Sequence, residues 1–573
     1  MRLIIASGRT KRSTCGTRVA ALLAAVAALG GCGGGGGGSG GAPPSQKYTV
    51  GGSVAGLVSG DSVVLLDNSG DALTVSTNGS FAFSTALASD TNFTVTVGTQ
   101  PTDQTCTVAQ GSGIVATQSI TSVAVTCVSA AYPLGGSIGG LGYASGLVLA
   151  NGSDTLDVPP GTTNFTMPKQ VAYGSAYDVT VAANPLALTC TITNGSGSGT
   201  QNGSDQNSVT VGCAASESVL YSFAGGSADG ATPYGNIIQA SDGNFYGTTS
   251  TGGPSGKGAI FKITPDGTET ILHLFAGGTT DGYNATGGLI EGTDGNFYGS
   301  TSAGGANGDG TVFEITPDGT ETILYSFGAQ PGDGQAPVGS LLQASDGNFY
   351  GFTSAGGNYN LGTVFRVTPG GTEIVLHPFY GGTSDGASPD AATLIQGNDG
   401  NLYGMTSQGG PSNDGSVFML TLGGAETILH FFTGAPDGAF PNGHLIQASD
   451  GNFYGVTPGG GDAWGTVFEV TPSGAETVLY GSFGGSPGPD LDPEWGLVQA
   501  TDGNFYGVTA QGAGGNGTIF EINSAGQVTH LYSFGAGTDG VRPIGLIQAS
   551  DGEFYGVTAA GGTSGNGTVF KLK

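Results

Sequence analysis

Basic residues are scarce in this sequence, which has 13 Lys and Arg against 42 Asp and Glu and a formal net charge of −29. Five of the 13 lie in the first 32 positions, where there is no acidic residue, so the rest of the chain is more acidic still. Phosphate binding requires a basic surface, and this composition therefore excludes nucleic acid as a partner. Glycine is abundant instead, with 113 residues in 573, which argues against a long helical bundle.

Long apolar runs are also missing, since no segment reaches the roughly 18 consecutive apolar residues of a membrane-spanning helix. The apolar run at 19–29 follows a basic stretch ending at Arg18 and has the length of a signal-peptide core. Leu29-Gly-Gly-Cys32 then resembles a bacterial lipobox, in which Cys32 is acylated. Residues 1–32 are interpreted as a lipoprotein signal peptide, with an ordinary secretory signal as the alternative.

A Gly/Ser-rich stretch at 33–47 follows Cys32 and has the composition of a flexible tether. The expected protein is exported and held to the bacterial cell envelope by lipid alone, at the outer membrane or cell surface. The membrane is thus an expected partner through the lipid anchor, and the chain is expected to be a monomer.

Two copies of one module come next, at 48–130 and 131–215, because Tyr-Thr-Val-Gly-Gly-Ser-Val at 48 recurs 84 residues later as Tyr-Pro-Leu-Gly-Gly-Ser-Ile. Short Val/Thr-rich runs between turn residues predict small antiparallel β-sandwiches of Ig-like type. One cysteine pair in each copy predicts the disulfides Cys106–Cys127 and Cys190–Cys213. Catalytic or metal-binding thiols are the alternative, although no histidine adjoins either pair.

From residue 216 to 573 the phrase Asp-Gly-Asn-Phe-Tyr-Gly, or a close variant, occurs seven times at intervals of about 52 residues. Each unit holds four short strand candidates joined by Asp-Gly turns, which is the content of a propeller blade. The last unit ends after its third strand, and an unpaired strand at 217–223 precedes the first unit. The sequence therefore predicts an all-β chain ending in a seven-bladed β-propeller with 3+1 strand closure, and an open solenoid is the alternative.

The repeat resembles the Gloeo/Verruco (GloVer) tandem repeat of exported bacterial proteins with varied surface anchors. The residues that carry the resemblance are Ser-Asp-Gly-Asn-Phe-Tyr-Gly at 241–247, Gly-Thr-Val-Phe-Glu-Ile-Thr-Pro-Asp-Gly at 310–319 and Glu-Thr-Ile-Leu-Tyr-Ser-Phe at 321–327. The resemblance implies a surface-anchored repeat protein and brings no catalytic residue or activity with it.

Histidines and repeated aspartates are the first candidates for metal or catalytic chemistry. His273, His377 and His430 occupy a fourth-strand position that is Tyr in other repeats, which favours a packing role. The Asp of each Asp-Gly-Asn-Phe phrase is assigned to a turn. A second Asp-Gly series lies in the loops between blades and is expected to crowd one face with carboxylates, so we expect no cofactor or metal, with calcium on that face as the alternative.

The departures from the repeat are better pointers to a binding site. Trp464 and Trp495 are the only two tryptophans, and we place Trp464 in a loop of the fifth blade and Trp495 in the loop joining the fifth and sixth. Aromatic rings beside carboxylates suit sugar binding, and the predicted ligand-binding residues are Trp464, Trp495, Asp490, Asp492 and Glu494. No nucleophilic triad motif or phosphate loop is present, so no catalytic residue is assigned.

Three functions remain open from the sequence. The first is a non-catalytic surface lipoprotein whose propeller binds a glycan or protein ligand. The second is an extracellular polysaccharide hydrolase or lyase that uses acids such as Asp490, Asp492 or Glu494. The third is a purely structural envelope protein.

Overall fold

The computed structural model describes residues 45–194, 197–389, 393–461, 464–481, 490–512, 515–535 and 538–573. The predicted signal peptide, Cys32 and most of the tether lie outside these residues. Within them the chain is all β, with no helical residue, and no helix long and apolar enough to cross a membrane is found there. The chain divides into two compact units, one formed by the described residues up to Ala55, Val64–Thr99 and Thr107–Thr126, and the other by Gly56–Val63, Gln100–Cys106 and Cys127–Lys573.

The two copies of the N-terminal module have the same topology. In the first copy, one four-stranded sheet has the order Gly79–Ala82, Val50–Ala55, Ile120–Ser129, Gln104–Ala109 and the other the order Asp71–Val75, Val63–Asp67, Asn92–Thr99, Ser112–Ile114. In the second copy the corresponding orders are Asn164–Thr166, Leu134–Gly139, Gln206–Ala214, Thr189–Asn194 and Asp154–Asp157, Val148–Asn151, Ala176–Ala183, Ser198–Thr200. Each copy adds a two-stranded pair, Lys47–Tyr48 with Leu87–Ala88 and Ala131–Tyr132 with Val171–Ala172.

The prediction of purely antiparallel modules was wrong in one respect. Val50–Ala55 pairs parallel with Ile120–Ser129, and Leu134–Gly139 pairs parallel with Gln206–Ala214. The first long strand of each copy therefore lies beside the last, a pairing over a long separation that local periodicity does not encode. Both predicted disulfides are confirmed, since Cys106 bonds Cys127 and Cys190 bonds Cys213. Disulfides persist in oxidising compartments, which agrees with an exported chain.

Seven further sheets follow in the described part of the repeat region, and we number them 1 to 7 in chain order. Their strands, from first to fourth, are as follows: sheet 1, Gly230–Pro233 with Ile238–Gln239, Phe245–Gly252, Ala259–Ile263, Glu269–Leu274; sheet 2, Ile290–Glu291, Phe297–Thr301, Thr311–Ile315, Glu321–Ser326; sheet 3, Gly334–Gln343, Phe349–Gly356, Thr363–Val367, Glu373–Pro378; sheet 4, Ile395–Gln396, Leu402–Thr406, Ser416–Leu420, Glu426–Phe431; sheet 5, Ile446–Gln447, Phe453–Thr457, Thr466–Val470, Glu476–Tyr480; sheet 6, Asp490–Gln499, Phe505–Gly512, Thr518–Ile522, Val528–Ser533; sheet 7, Gly540–Gln548, Phe554–Gly561, Thr568–Leu572, Glu217–Ser222. Small flanking pairs join Gly282–Tyr283 to Ala303–Gly304, Gly386–Ala387 to Gln408–Gly409 and Gly438–Ala439 to Gly459–Gly460.

Sheet 7 takes its fourth strand from the start of the repeat region. Glu217–Ser222 pairs antiparallel with Thr568–Leu572, with Glu217 opposite Leu572 and Ser222 opposite Thr568. This is the pairing that the unpaired strand and the short last unit predict.

Similar contacts join consecutive sheets. A Tyr of the second strand stacks on a Phe of the following sheet, as in Tyr246 on Phe297 with ring centroids 4.1 Å apart, except between sheets 3 and 4, where Leu402 takes the place of the Phe. Tyr555 of sheet 7 stacks on Phe245 of sheet 1 at 4.3 Å. A Gln side-chain oxygen, or in sheet 2 the Glu291 carboxylate, also accepts a backbone N–H from the sheet before it. The Ser550 N–H of sheet 7 donates in this way to Gln239 of sheet 1 at 2.7 Å. The described contacts thus lead from sheet 1 through to sheet 7 and from sheet 7 back to sheet 1.

Candidate binding pocket

Residues in or beside the first strands of several sheets meet around one small cavity of about 20 Å³. Asn236 of sheet 1 and His444 of sheet 5 face each other across it, with Nδ2 and Nδ1 3.5 Å apart. Burial lowers the pKa of His444 to about 4, so the imidazole is neutral at physiological pH. This cavity is too small for an organic ligand, but it brings residues that are distant in sequence to one place.

A larger cavity of about 100 Å³ lies beside it, between sheets 6, 7 and 1. It has room for several water molecules or part of a ligand that enters from solvent. The residues that line it are Thr232, Tyr234, Glu494, Trp495, Ala510, Arg542, Pro543, Ile544 and Ala559. The lining thus combines two aromatic residues, one arginine and one glutamate with several apolar residues, and we call this the Trp495 pocket.

Trp495 is held in an unusual backbone conformation. Its φ is 71°, in the left-handed region, while the equivalent residues Gly235, Gly339 and Gly443 have φ of 82°, 69° and 79°. A non-glycine residue there costs on the order of 1–3 kcal/mol unless its surroundings hold it. The indole packs edge-on against Tyr234, with ring centroids 5.0 Å apart and ring planes at 87°. Trp495 thus stands at a glycine position and projects an aromatic ring into the pocket.

Arg542 supplies the pocket with a positive charge, and basic residues are scarce in this chain. After residue 18 the sequence has only two arginines, Arg366 and Arg542. The residue is exposed and lies at the pocket wall with Pro543 and Ile544. A guanidinium can donate hydrogen bonds to hydroxyls and pair with a negative charge.

The structure brings only part of the predicted binding set together. Glu494 and Trp495 line the pocket, whereas Trp464 is 41% exposed and is not among its lining residues. The side chains of Asp490 and Asp492 lie outside the described residues. The placement of Trp495 in a loop was wrong, because it lies within the strand Asp490–Gln499, where the pairing shifts register between Glu494 and Leu497.

Tyr234 and Arg542 were missed by reasoning from the sequence. The signal for Arg542 was present, since only two arginines follow residue 18, as many as there are tryptophans. Tyr234 carries no such signal, because tyrosine is common in this sequence. The residue also comes from a distant repeat, and its proximity to Trp495 becomes visible only when sheets 1 and 6 are seen to meet.

A second polar group recurs where neighbouring sheets meet. The Tyr325 hydroxyl, from the fourth strand of sheet 2, donates to Asp333 at 2.8 Å, and Glu373 from the fourth strand of sheet 3 lies beside them. Burial, reinforced by the charge of Asp333, raises the pKa of Glu373 to about 7. The pKa is likewise raised to about 7, chiefly by burial, for Glu217, Glu269, Glu321, Glu426 and Glu476.

The expected acidic face is not formed by the second Asp-Gly series. Asp229, Asp281, Asp333, Asp385 and Asp539 are buried, each with under 9% of its surface exposed. They accept backbone N–H groups, as Asp229 does from Ala224 at 2.6 Å, because these bonds compensate a carboxylate that the fold removes from water. The expectation that these residues crowd an exposed face was therefore wrong.

The first Asp-Gly series has the turn geometry that the sequence predicts. Asp242 accepts from the Asn244 N–H at 2.9 Å and from the Tyr246 hydroxyl at 2.8 Å. Burial alone would raise the pKa of Asp242, but these hydrogen bonds and that of Lys262 outweigh it and lower the pKa. The same hydroxyl bond recurs at Asp294, Asp346, Asp399, Asp450, Asp502 and Asp551.

Comparison with known families identifies the repeat. The model of the Gloeobacter/Verrucomicrobia repeat matches residues 190–398 and 390–573. The chain belongs to the Gloeobacter/Verrucomicrobia repeat family. No curated protein matches this family member.

Solved structures similar to this Gloeobacter/Verrucomicrobia repeat protein have low sequence identity. The extracellular domain of a hybrid two-component system from B. thetaiotaomicron is 11% identical, with a TM-score of 0.41, 73% of this chain and 47% of that one covered. An ulvan lyase of a polysaccharide lyase family is 10% identical (TM-score 0.39; 62% and 95% covered), and a gluconolactonase from Xanthomonas campestris is 14% identical (TM-score 0.32; 60% and 96% covered). The chain thus spans about half the length of the two-component domain, and these similarities assign it no activity.

Proposed function

We propose that this protein is an exported, lipid-anchored binding protein whose repeat region is a seven-bladed β-propeller. The stacking of Tyr555 on Phe245 and the bond from Ser550 to Gln239 support closure, because they repeat between sheets 7 and 1 the contacts found between most other consecutive sheets. The two disulfide-bonded modules, of Ig-like type, serve as spacers between the anchor at Cys32 and the propeller.

The ligand proposed for the propeller is a glycan bound in the Trp495 pocket. The observation that carries this proposal is Trp495 itself, which keeps a strained backbone where Gly235, Gly339 and Gly443 stand in other repeats and places its indole edge-on against Tyr234. Aromatic faces contribute apolar contact to sugar rings, and Arg542 and Glu494 offer a donor and an acceptor for sugar hydroxyls. Strain of this kind points to a role at the site rather than to stability.

Replacing Trp495 by Gly tests the proposal with the residue that other repeats use at this position. The Trp495→Gly variant loses the ring but relieves the backbone, so its free energy of unfolding should stay within about 2 kcal/mol of wild type. We expect glycans that bind wild type on an array to lose at least tenfold in affinity, measured by titration of intrinsic fluorescence or calorimetry. The control is Trp464→Ala, which removes the other tryptophan from outside the pocket and should leave affinity unchanged.

Two outcomes would overturn the proposal. Unchanged glycan affinity in Trp495→Gly would remove the pocket from recognition, and an array without any bound glycan would favour the purely structural envelope protein. Release of reducing ends or unsaturated sugars from a polysaccharide panel would instead favour the hydrolase or lyase function, with Glu494 as the first acid to replace.

A further inference from the structure

Three clusters in the described residues combine one histidine with two carboxylates. They are His273 with Asp281 and Glu321, His377 with Asp385 and Glu426, and His430 with Asp437 and Glu476. In each, the histidine comes from a fourth strand, the aspartate from the loop after it, and the glutamate from the fourth strand of the following sheet. The three potential ligand atoms of each cluster lie within 4.8 Å of one another.

Distances in the His377 cluster fit a metal ion better than hydrogen bonds. His377 Nε2 is 3.4 Å from Asp385 Oδ2 and 3.6 Å from Glu426 Oε2. Charge-assisted N–H···O bonds are shorter, at about 2.7–2.9 Å. Two ligands that each lie about 2.0–2.2 Å from a tetrahedral Zn²⁺ are roughly 3.3–3.5 Å apart. The spacing is that of neighbouring ligands around such an ion.

Polar atoms in this cluster are also left without partners by the described residues. His377 Nε2 and Glu426 Oε1 are buried and have no hydrogen-bond partner there. The side chains of His377, Asp385 and Glu426 are only 11%, 7% and 13% exposed. Two carboxylates are buried beside a single imidazole, so the site has less positive than negative charge. An unpaired buried charge is energetically costly. A divalent cation would supply both the charge and the partners.

The other repeats show that the fold does not require histidine at this position. Tyr221, Tyr325 and Tyr532 replace it, and their hydroxyls donate to Asp229, Asp333 and Asp539 at 3.1, 2.8 and 3.0 Å. The tyrosine version makes a normal hydrogen bond and offers no nitrogen ligand. In the repeats with histidine, the distance to the aspartate is longer and the side chain offers a nitrogen ligand. The tyrosine and histidine repeats therefore differ chiefly in their capacity to bind a metal ion.

We propose that these three clusters bind a divalent transition-metal ion such as Zn²⁺, through one imidazole nitrogen and two carboxylate oxygens, with water as the fourth ligand. Imidazole combined with carboxylate suits Zn²⁺ and its neighbours, whereas Ca²⁺ and Mg²⁺ prefer all-oxygen sites with more ligands. Each ion links two consecutive sheets, because the glutamate belongs to the sheet after that of the histidine.

Exchanging histidine for the tyrosine found in the other repeats provides the test. Chelator-treated protein is titrated with Co²⁺, followed by its visible absorption, and with Zn²⁺ by calorimetry. Wild type should bind three equivalents, His377→Tyr two, and the His273→Tyr/His377→Tyr/His430→Tyr variant none. Zn²⁺ should raise the Tm of wild type and not that of the triple variant. His530→Gln is the control, because His530 lies outside the three clusters, and it should still bind three equivalents.

The proposal is overturned if wild type shows neither saturable Co²⁺ absorption nor a Tm that responds to Zn²⁺, or if the triple variant binds as many ions as wild type. Should the triple variant fail to fold, Glu426→Gln answers the same question with a side chain of nearly equal shape. Loss of one equivalent in Glu426→Gln supports the proposal, and retention of all three refutes it.

Discussion

The half-buried glutamates between the sheets make the stability of the repeat region depend on pH, and Glu373 is the clearest case. Its carboxyl faces Asp333 and Tyr325, and burial together with the charge of Asp333 raises its pKa from 4.5 to about 7. A carboxyl with a raised pKa binds its proton more tightly in the folded state. Its contribution is therefore fully present below about pH 4.5 and is lost as the pH rises through 7.

The size of the effect follows from the shift. A carboxyl moved from 4.5 to about 7 would change the free energy of unfolding by at most about 3 kcal/mol across this window. Glu373 is only partly buried, so solvent screening reduces the expected change to about 1–2 kcal/mol. Glutamine resembles the protonated carboxyl, and we expect Glu373→Gln to be more stable than wild type by that amount at pH 8 and equal to it at pH 4.5.

The measurement is urea unfolding followed by intrinsic fluorescence at pH 4.5, 6 and 8, in the presence of chelator so that metal ions do not contribute. Glu553→Gln serves as the control, because this glutamate lies in a turn outside the junctions and should change stability equally at all three pH values. A Glu373→Gln variant that is less stable than wild type at pH 8, or whose difference from wild type does not vary with pH, would refute the reasoning.

Three further predictions concern the anchor, the closure and the disulfides. Cys32→Ser should move the protein from the membrane fraction to the soluble fraction, and unchanged retention in membranes would reject lipid anchoring. Deleting residues 217–222 should leave Thr568–Leu572 without its neighbour and clearly lower the Tm of the repeat region, whereas an unaltered Tm would favour an open array of sheets. Replacing Cys190 and Cys213 together by Ala should destabilise the second module by about 3 kcal/mol, as estimated from the loop that the bond closes, and equal urea midpoints for variant and wild type would contradict this.

Much of the repeat architecture could be predicted because it depends on residues that are close together in the sequence. Regular Asp-Gly turns and short apolar runs predict the strands of each unit, and the unpaired strand before the first unit predicts the pairing of Glu217–Ser222 with Thr568–Leu572. The cysteine spacing predicts both disulfides because each pair closes a short segment within one module. In these cases the partners are identified by repetition or proximity in the chain.

Features that depend on neighbouring repeats could not be predicted in this way. Asp385 looks like an exposed loop residue in sequence, yet it is buried against His377 and near Glu426 of the next sheet. The Trp495 pocket likewise requires Tyr234 and Arg542 from other sheets. Such sites form where one sheet packs on another. The sequence of a single repeat does not show which residues of the next sheet will contact it.

The strand that completes sheet 7 also determines how the molecule responds to mechanical force. Glu217–Ser222 is the point at which the preceding chain enters the repeat region, so tension on that chain acts along this strand. If the load runs parallel to the strand, its hydrogen bonds to Thr568–Leu572 are sheared together, and they resist more than bonds that are peeled one at a time. The second module shares the load through the Tyr143 N–H, which donates to Thr529 of sheet 6 at 2.8 Å. A pull along this strand from the N-terminal side therefore loads this contact together with the hydrogen bonds between Glu217–Ser222 and Thr568–Leu572.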